Sequence, residues 1–92
     1  MAYEKSAITD DLEHCYFCGR TPVQFHHIFG AHNRMHATED DMFVPLCWNC
    51  HLKVHNEPSQ ATNYRLKQAA QWVYEETHSR DDFRRRYGKS YL

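Results

Sequence analysis

Two CxxC pairs, two short β-forming runs and a helical periodicity over the second half predict a small α+β domain in this 92-residue chain. A domain of this size buries only about 60% of its unfolded surface and commonly needs a staple. Cys15, Cys18, Cys47 and Cys50 can supply it as two disulfides or as one metal site. The paired spacing favours metal, because a Zn²⁺ tetrahedron takes two thiolates from each tight turn. A disulfide inside a CxxC would close a very small loop and add little. The 28 residues between Cys18 and Cys47 exceed the commonest four-cysteine spacing, so an insertion must separate the two halves. A zinc with four thiolates has no open position, which makes it a structural ion.

The elements follow in order. Residues 1–12 are polar and read as a flexible N-terminus with a short turn at 10–13. Cys15 to Gly19 forms a knuckle, with Gly19 permitting left-handed backbone. Residues 23–28 carry β-formers and end on His26 and His27, which reads as a strand. Residues 30–41 are polar and read as a long connection. Residues 42–46 form a second strand, where Pro45 argues for an edge or an end. Residues 48–56 read as a short helix with His51 and His55 four apart on one face. Ser59 is placed to cap a helix over 60–77, whose inner stripe is Leu66, Ala69, Ala70, Val73 and Thr77. Ser79 and Asp82 resemble a capping box opening a last helix that Gly88 ends. The chain is thus one domain, with a metal-bearing core at 13–56 and C-terminal helices at 59–92. Its larger aromatics (Tyr16, Phe17, Phe25, Phe29, Phe43, Trp48, Trp72, Phe83, Tyr87) are expected mainly in the core.

Charge narrows the function. The formal net charge is −1, with eight histidines titrating near neutrality. That balance excludes DNA binding by overall charge; a nucleic-acid role would rest on a local patch, a bound cation or a partner. The first ten residues have no apolar run and no later stretch could span a membrane, which with four reduced thiols predicts a cytoplasmic protein.

His26, His27, His51 and His55 carry the chemistry. Adjacent strand residues face opposite sides, so His26 and His27 can do different jobs. One can join the helical pair in holding a divalent cation with open positions while the other faces a substrate. The competing reading makes the strand pair ordinary and substitutes His51 for a cysteine at the zinc. Arg34, beside His32 and His36, is either a phosphate-steadying guanidinium or a solvated charge. Arg84, Arg85 and Arg86 with Lys89 form the dense basic patch, read as a nucleic-acid contact or a solvated helix face.

The ordered combination Cys15-x2-Cys18, His26-His27-Ile28-Phe29 and Val44-Pro45-Leu46-Cys47-x2-Cys50-His51-x3-His55 resembles the HNH endonuclease family. The resemblance implies a zinc-stabilised ββα-metal (treble-clef-like) fold with two added C-terminal helices. It also implies that His26 ligates a catalytic cation with His51 and His55, and that His27 is the general base. His27-Ile28-Phe29-Gly30, Asn33-Arg34 and the ending Phe83-x3-Tyr87-Gly88-Lys89-Ser90-Tyr91-Leu92 are also similar to small phage-type recombination-enhancement, RecA-dependent nucleases. The activity implied is metal-dependent hydrolysis of DNA phosphodiester bonds, with Mg²⁺, Mn²⁺, Zn²⁺ or Ni²⁺ as the catalytic cation. The partners implied are DNA and a recombinase filament or another phage or host protein that delivers it. One departure stands out. The family usually has an asparagine two residues before Val44, which orients the base histidine; Met42 occupies that position. Asn33, Asn49 and Asp41 are the candidates to replace it. The alternative class is a non-catalytic zinc module that docks on nucleic acid or protein.

Overall fold

In the computed structural model, which describes residues 5–92, a two-stranded antiparallel sheet and four α-helices make an α+β fold. The expectation for residues 1–4 lies outside the described residues. The elements are β1 (Gln24–His27), a 3-10 turn (Ala31–Asn33), α1 (Arg34–Glu39), β2 (Phe43–Leu46), α2 (Trp48–Asn56), α3 (Ala61–Tyr74) and α4 (Arg80–Tyr87). β1 pairs β2 with Gln24 opposite Leu46 and His27 opposite Phe43. All four β2 residues are buried, whereas β1 buries only His26 fully. The strand pair therefore faces the core through β2, and β1 turns one histidine inward.

Ordered helix replaces the long connection expected at 30–41. The polar composition of α1 conceals a single anchor: Ala37 is fully buried, and its carbonyl accepts from Met42 N at 2.8 Å. Asp41, at φ 58°, then reverses the chain into β2, a left-handed position that Asp tolerates better than most residues. Near the N-terminus, Ala7 N donates to Asp41 O at 2.9 Å and Ser6 Oγ to Phe43 O at 2.5 Å, so this segment lies along the same turn.

α3 begins and ends inside its expected span. Gln60, with φ 57°, occupies the N-cap position, while Ser59 Oγ accepts from the N–H of Ala61, the first residue of the helix, at 3.3 Å. Glu57 also caps from outside: its carboxylate accepts from Thr62 N at 2.8 Å and from Thr62 Oγ1 at 3.3 Å. The buried face is also rotated. Leu66, Ala70, Gln71 and Tyr74 point inward while Thr77 is exposed. Gln71 turns in because it has a complete set of partners there. Its Nε2 donates to Glu75 and Ser90, and its Oε1 accepts from Tyr91 N at 2.7 Å. A buried amide that is fully hydrogen-bonded is tolerated, and this one pins the C-terminal strap to α3.

Ser79 and Asp82 form the capping box at the start of α4, and Gly88 ends it at φ 98°. Phe29, Phe83 and Tyr87 then pack together, with Phe29 and Tyr87 ring centroids 4.3 Å apart. Among the aromatics expected inside, Phe29, Phe43, Phe83 and Tyr87 are buried. Tyr16, Phe17 and Phe25 are about two-fifths exposed, and Trp48 and Trp72 are 60% and 62% exposed. The reason is geometric: a two-stranded sheet has too little inner face to cover rings projecting from the knuckle and the outer sides of α2 and α3.

α4 is tied to α1 through charge. Arg86 donates to both oxygens of Asp40 (2.7 and 3.2 Å) and to Glu39 (3.0 Å), and Tyr87 Oη donates to Asp40 at 2.5 Å. Both Arg86 and Asp40 are largely shielded from solvent. Removing the carboxylate strands two donors, a more serious loss than that of an exposed pair. Asp40→Ala is expected to lower unfolding free energy in urea by about 2 kcal/mol, while Arg85→Ala, at an exposed pair, changes it by less than about 0.5 kcal/mol. Equal effects from the two variants would contradict the role of this tie.

Candidate metal centres

The knuckle and the first turn of α2 bring four cysteines together. Cys15 N donates to Arg20 O and Gly19 N to Cys15 O, closing the turn, with Gly19 at φ 77°. Tyr16 N donates to Pro45 O at 2.8 Å, which seats the turn against β2. Cys47 is the N-cap of α2, so Cys50 follows on its first turn. One sulfur from each of the four cysteines lies within 4.8 Å of the others, and the group could hold a metal ion. The separations decide between staples. Cys18 and Cys47 sulfurs are 3.5 Å apart, far beyond a disulfide bond. Two thiolates on a tetrahedral Zn²⁺ with bonds of about 2.3 Å would stand about 3.8 Å apart.

The local field prepares thiolates and then demands a cation. Burial opposes charge on Cys15, but backbone N–H donors from Cys47, Cys18 and Phe17 outweigh it and bring the thiol down to about 6. The N–H of Cys50 lowers Cys47 likewise, as expected for a sulfur beside a helix N-terminus. Burial, followed by the neighbouring thiols, pushes Cys50 up to about 12. Four thiolates therefore coexist only around a positive ion.

Directly beyond this cluster, α2 presents His51 and His55 toward buried His26 of β1. One ring nitrogen from each lies within 4.8 Å of the others. His51 Nδ1 donates to Gln24 Oε1 at 2.8 Å, leaving its Nε2 as a lone pair, and that atom lies 3.1 Å from His55 Nε2. Two nitrogens on a tetrahedral cation with bonds of about 2.1 Å stand about 3.4 Å apart. His26 Nε2 is buried without a hydrogen-bond partner among the described residues. Burial, then the charges of His51 and His55, brings His26 down to about 4. Burial also lowers His51, with His55 adding to it. Neutral imidazoles with convergent lone pairs are the donor set that divalent transition metals take. His51 thus belongs to the histidine group and not to the four sulfurs, and the residues fit a second cation.

His27 is the last residue of β1, half-buried and outside the group of three, but it borders the same open cleft of about 310 Å³ as His26, His51 and His55. Strand alternation therefore separates His26 from His27 in burial without sending them to different cavities. Arg34 lines this cleft too. Burial lowers His27 below its ordinary value, and the Arg34 guanidinium adds to the shift. Ala31, at φ 52°, turns the chain at the cleft floor.

The other expected site residues lie elsewhere. Asn33 donates to Tyr87 O at 3.0 Å and serves the α4 packing. Asp41 shapes the turn into β2 through its backbone. Asn49 is exposed on the first turn of α2, and Met42 is buried with its carbonyl accepting from Ile28 N. Arg84 and Arg85 pair with Asp81 and Asp82 of their own helix at 3.7 and 3.2 Å, and Arg86 is engaged by α1. The basic patch is thereby largely compensated, whereas Lys89 lies over the Tyr91 ring at 5.0 Å. Sequence reasoning missed Gln24, whose amide sets the His51 tautomer; its position two residues before His26, on the same strand face, was the available signal.

No family model, curated protein or solved structure matches the chain. No helix among the described residues is long and apolar enough to cross a membrane.

Withdrawing the sulfur-bound metal is expected to unfold the domain, since such sites contribute on the order of 10 kcal/mol to folding. A strong chelator should abolish helical circular dichroism, and added Zn²⁺ should restore it. Cys50→Ser should show the same loss without chelator. An intact fold in either sample would contradict a structural metal.

Proposed function

We propose that the protein is a metal-dependent endonuclease of the HNH type, with β1, β2 and α2 forming a zinc-supported ββα-metal core, and that it hydrolyses DNA. The observation that carries this reading is the convergence of three histidine nitrogens, one of them buried and unpartnered, at a cleft that also holds His27 and Arg34. A module that only docks needs the four sulfurs; it has no use for a second donor set opening onto a cleft.

His26, His51 and His55 would hold the cation. A cation held there would supply positive charge that offsets the negative charge developing on the phosphate during cleavage. His27 accepts a proton from water, and its depressed pKa keeps it neutral and able to do so at neutral pH. The hydroxide attacks phosphorus, the P–O3′ bond breaks, the departing 3′ oxygen takes a proton from water in the open cleft, and the products carry a 5′ phosphate and a 3′ hydroxyl. Arg34 steadies the phosphate and offsets charge growing on its equatorial oxygens. Gln24 holds His51 in the tautomer that offers Nε2.

His27→Ala is expected to reduce nicking of supercoiled plasmid by at least about 100-fold with Mg²⁺, Mn²⁺, Co²⁺ or Ni²⁺, with the tightly bound metal content unchanged. Undiminished cleavage would exclude His27 as the base. A wild-type protein with one tightly bound zinc and no nicking under any of these ions would favour the docking module instead.

A further inference from the structure

A second cleft, of about 340 Å³, adjoins the first. The two share His26, His27 and His55, so the histidine cluster forms the saddle between them. Arg34 belongs to the first cleft alone. Asn63 and Lys67, from α3, belong to the second alone. α3 lies outside the segment that carries the motif, and nothing in that motif assigns a role to either residue.

Arg34 and Lys67 are two of six cations, with Lys5, Arg20, Arg65 and Lys89, that have no carboxylate within ion-pair distance among the described residues, and they are the two that line these clefts. Lys53, Arg80, Arg84, Arg85 and Arg86 each have a carboxylate within ion-pair distance. Lys67 is also half-buried, and Lys89 lies close enough to oppose its charge. The two ammonium groups lie 5.3 and 5.0 Å from one Tyr91 ring. That ring offers each some compensation, but two like charges gathered without an anion work against folding. An anionic ligand beside them would relieve that cost. The arrangement also resolves a difficulty of composition: at a net charge of −1, nucleic-acid binding requires local uncompensated cations, and these two flank the histidines.

We propose that one nucleic-acid strand crosses the histidine saddle from cleft to cleft, its scissile phosphate at the cluster, one flanking phosphate at Arg34 and the other at Lys67, with Asn63 and Lys89 beside the latter. The proposal rests on the nuclease reading and extends it. α3 and the C-terminal strap become half of the substrate groove, which gives the Gln71 contacts that pin the strap a purpose.

The test measures binding without cleavage. A fluorescein-labelled 12-mer oligothymidylate is titrated by anisotropy over a range of salt, using the His27→Ala protein as the parent. Each phosphate contact on a single strand contributes about 0.7 to the slope of log K against log salt. Adding Lys67→Gln or Arg34→Gln is expected to weaken binding several-fold and to flatten the slope by about 0.7. Lys67→Arg should restore it, and Arg85→Gln should leave it unchanged. An unaltered slope in Lys67→Gln, or equal flattening in Arg85→Gln, would overturn the assigned path while leaving the nuclease reading intact. Failure of the parent to bind the strand would overturn both.

Discussion

Everything else in this protein depends on the junction where the knuckle at Cys15 and Cys18 meets the first turn of α2 at Cys47 and Cys50. Four sulfurs within 4.8 Å cannot all ionise without a cation, and the backbone donors around Cys15 and Cys47 favour the ionised form. A cation held by them would fix the start of α2 against β2. Because α2 is rigid and short, fixing its start also fixes His51 and His55, one turn and two turns on. β2 in turn sets the register of β1, which brings His26 to them. A constraint of sulfur chemistry is thereby converted into the placement of three histidine side chains.

The remaining elements close the domain around this junction. The core is small, and three connections outside it carry much of the organisation. Arg86 and Tyr87 hold Asp40 and join α4 to α1. Gln71 holds the strap that carries Tyr91. Glu57 caps α3 across the turn that follows α2. Each is a polar contact between segments distant in sequence or on either side of a turn. Each replaces burial that a domain of this size lacks.

Sequence legibility follows the range of the interactions. The CxxC pairs, the His51–His55 spacing, Trp48–Asn56 as a helix and the Ser79–Asp82 box are local patterns, and the structure contains them where they were expected. α1 was not legible, because one buried alanine anchors an otherwise polar stretch. The inward turn of Gln71 was not legible either, because its partners lie 19 and 20 residues away. In the basic run at 84–86, Arg84 and Arg85 have local partners in Asp81 and Asp82, but the partners of Arg86, Glu39 and Asp40, lie far off in sequence and are invisible to local reading. Lys67 escaped notice for the converse reason: an isolated lysine on an amphipathic helix has no signature until the fold sets it beside His26.

The central claim is that the sulfur and nitrogen donors form two separate metal centres, the first supporting the second. Titrating the reduced, metal-free protein with Co²⁺ tests it directly, because thiolate ligation produces intense charge-transfer absorption in the near ultraviolet and histidine ligation does not. The account predicts two stages: a first equivalent with strong thiolate bands, then a second with weak ligand-field bands that is abolished in His55→Ala while the first is retained. A single stage, or loss of thiolate absorption in His55→Ala, would mean that cysteines and histidines share one site and would contradict the account.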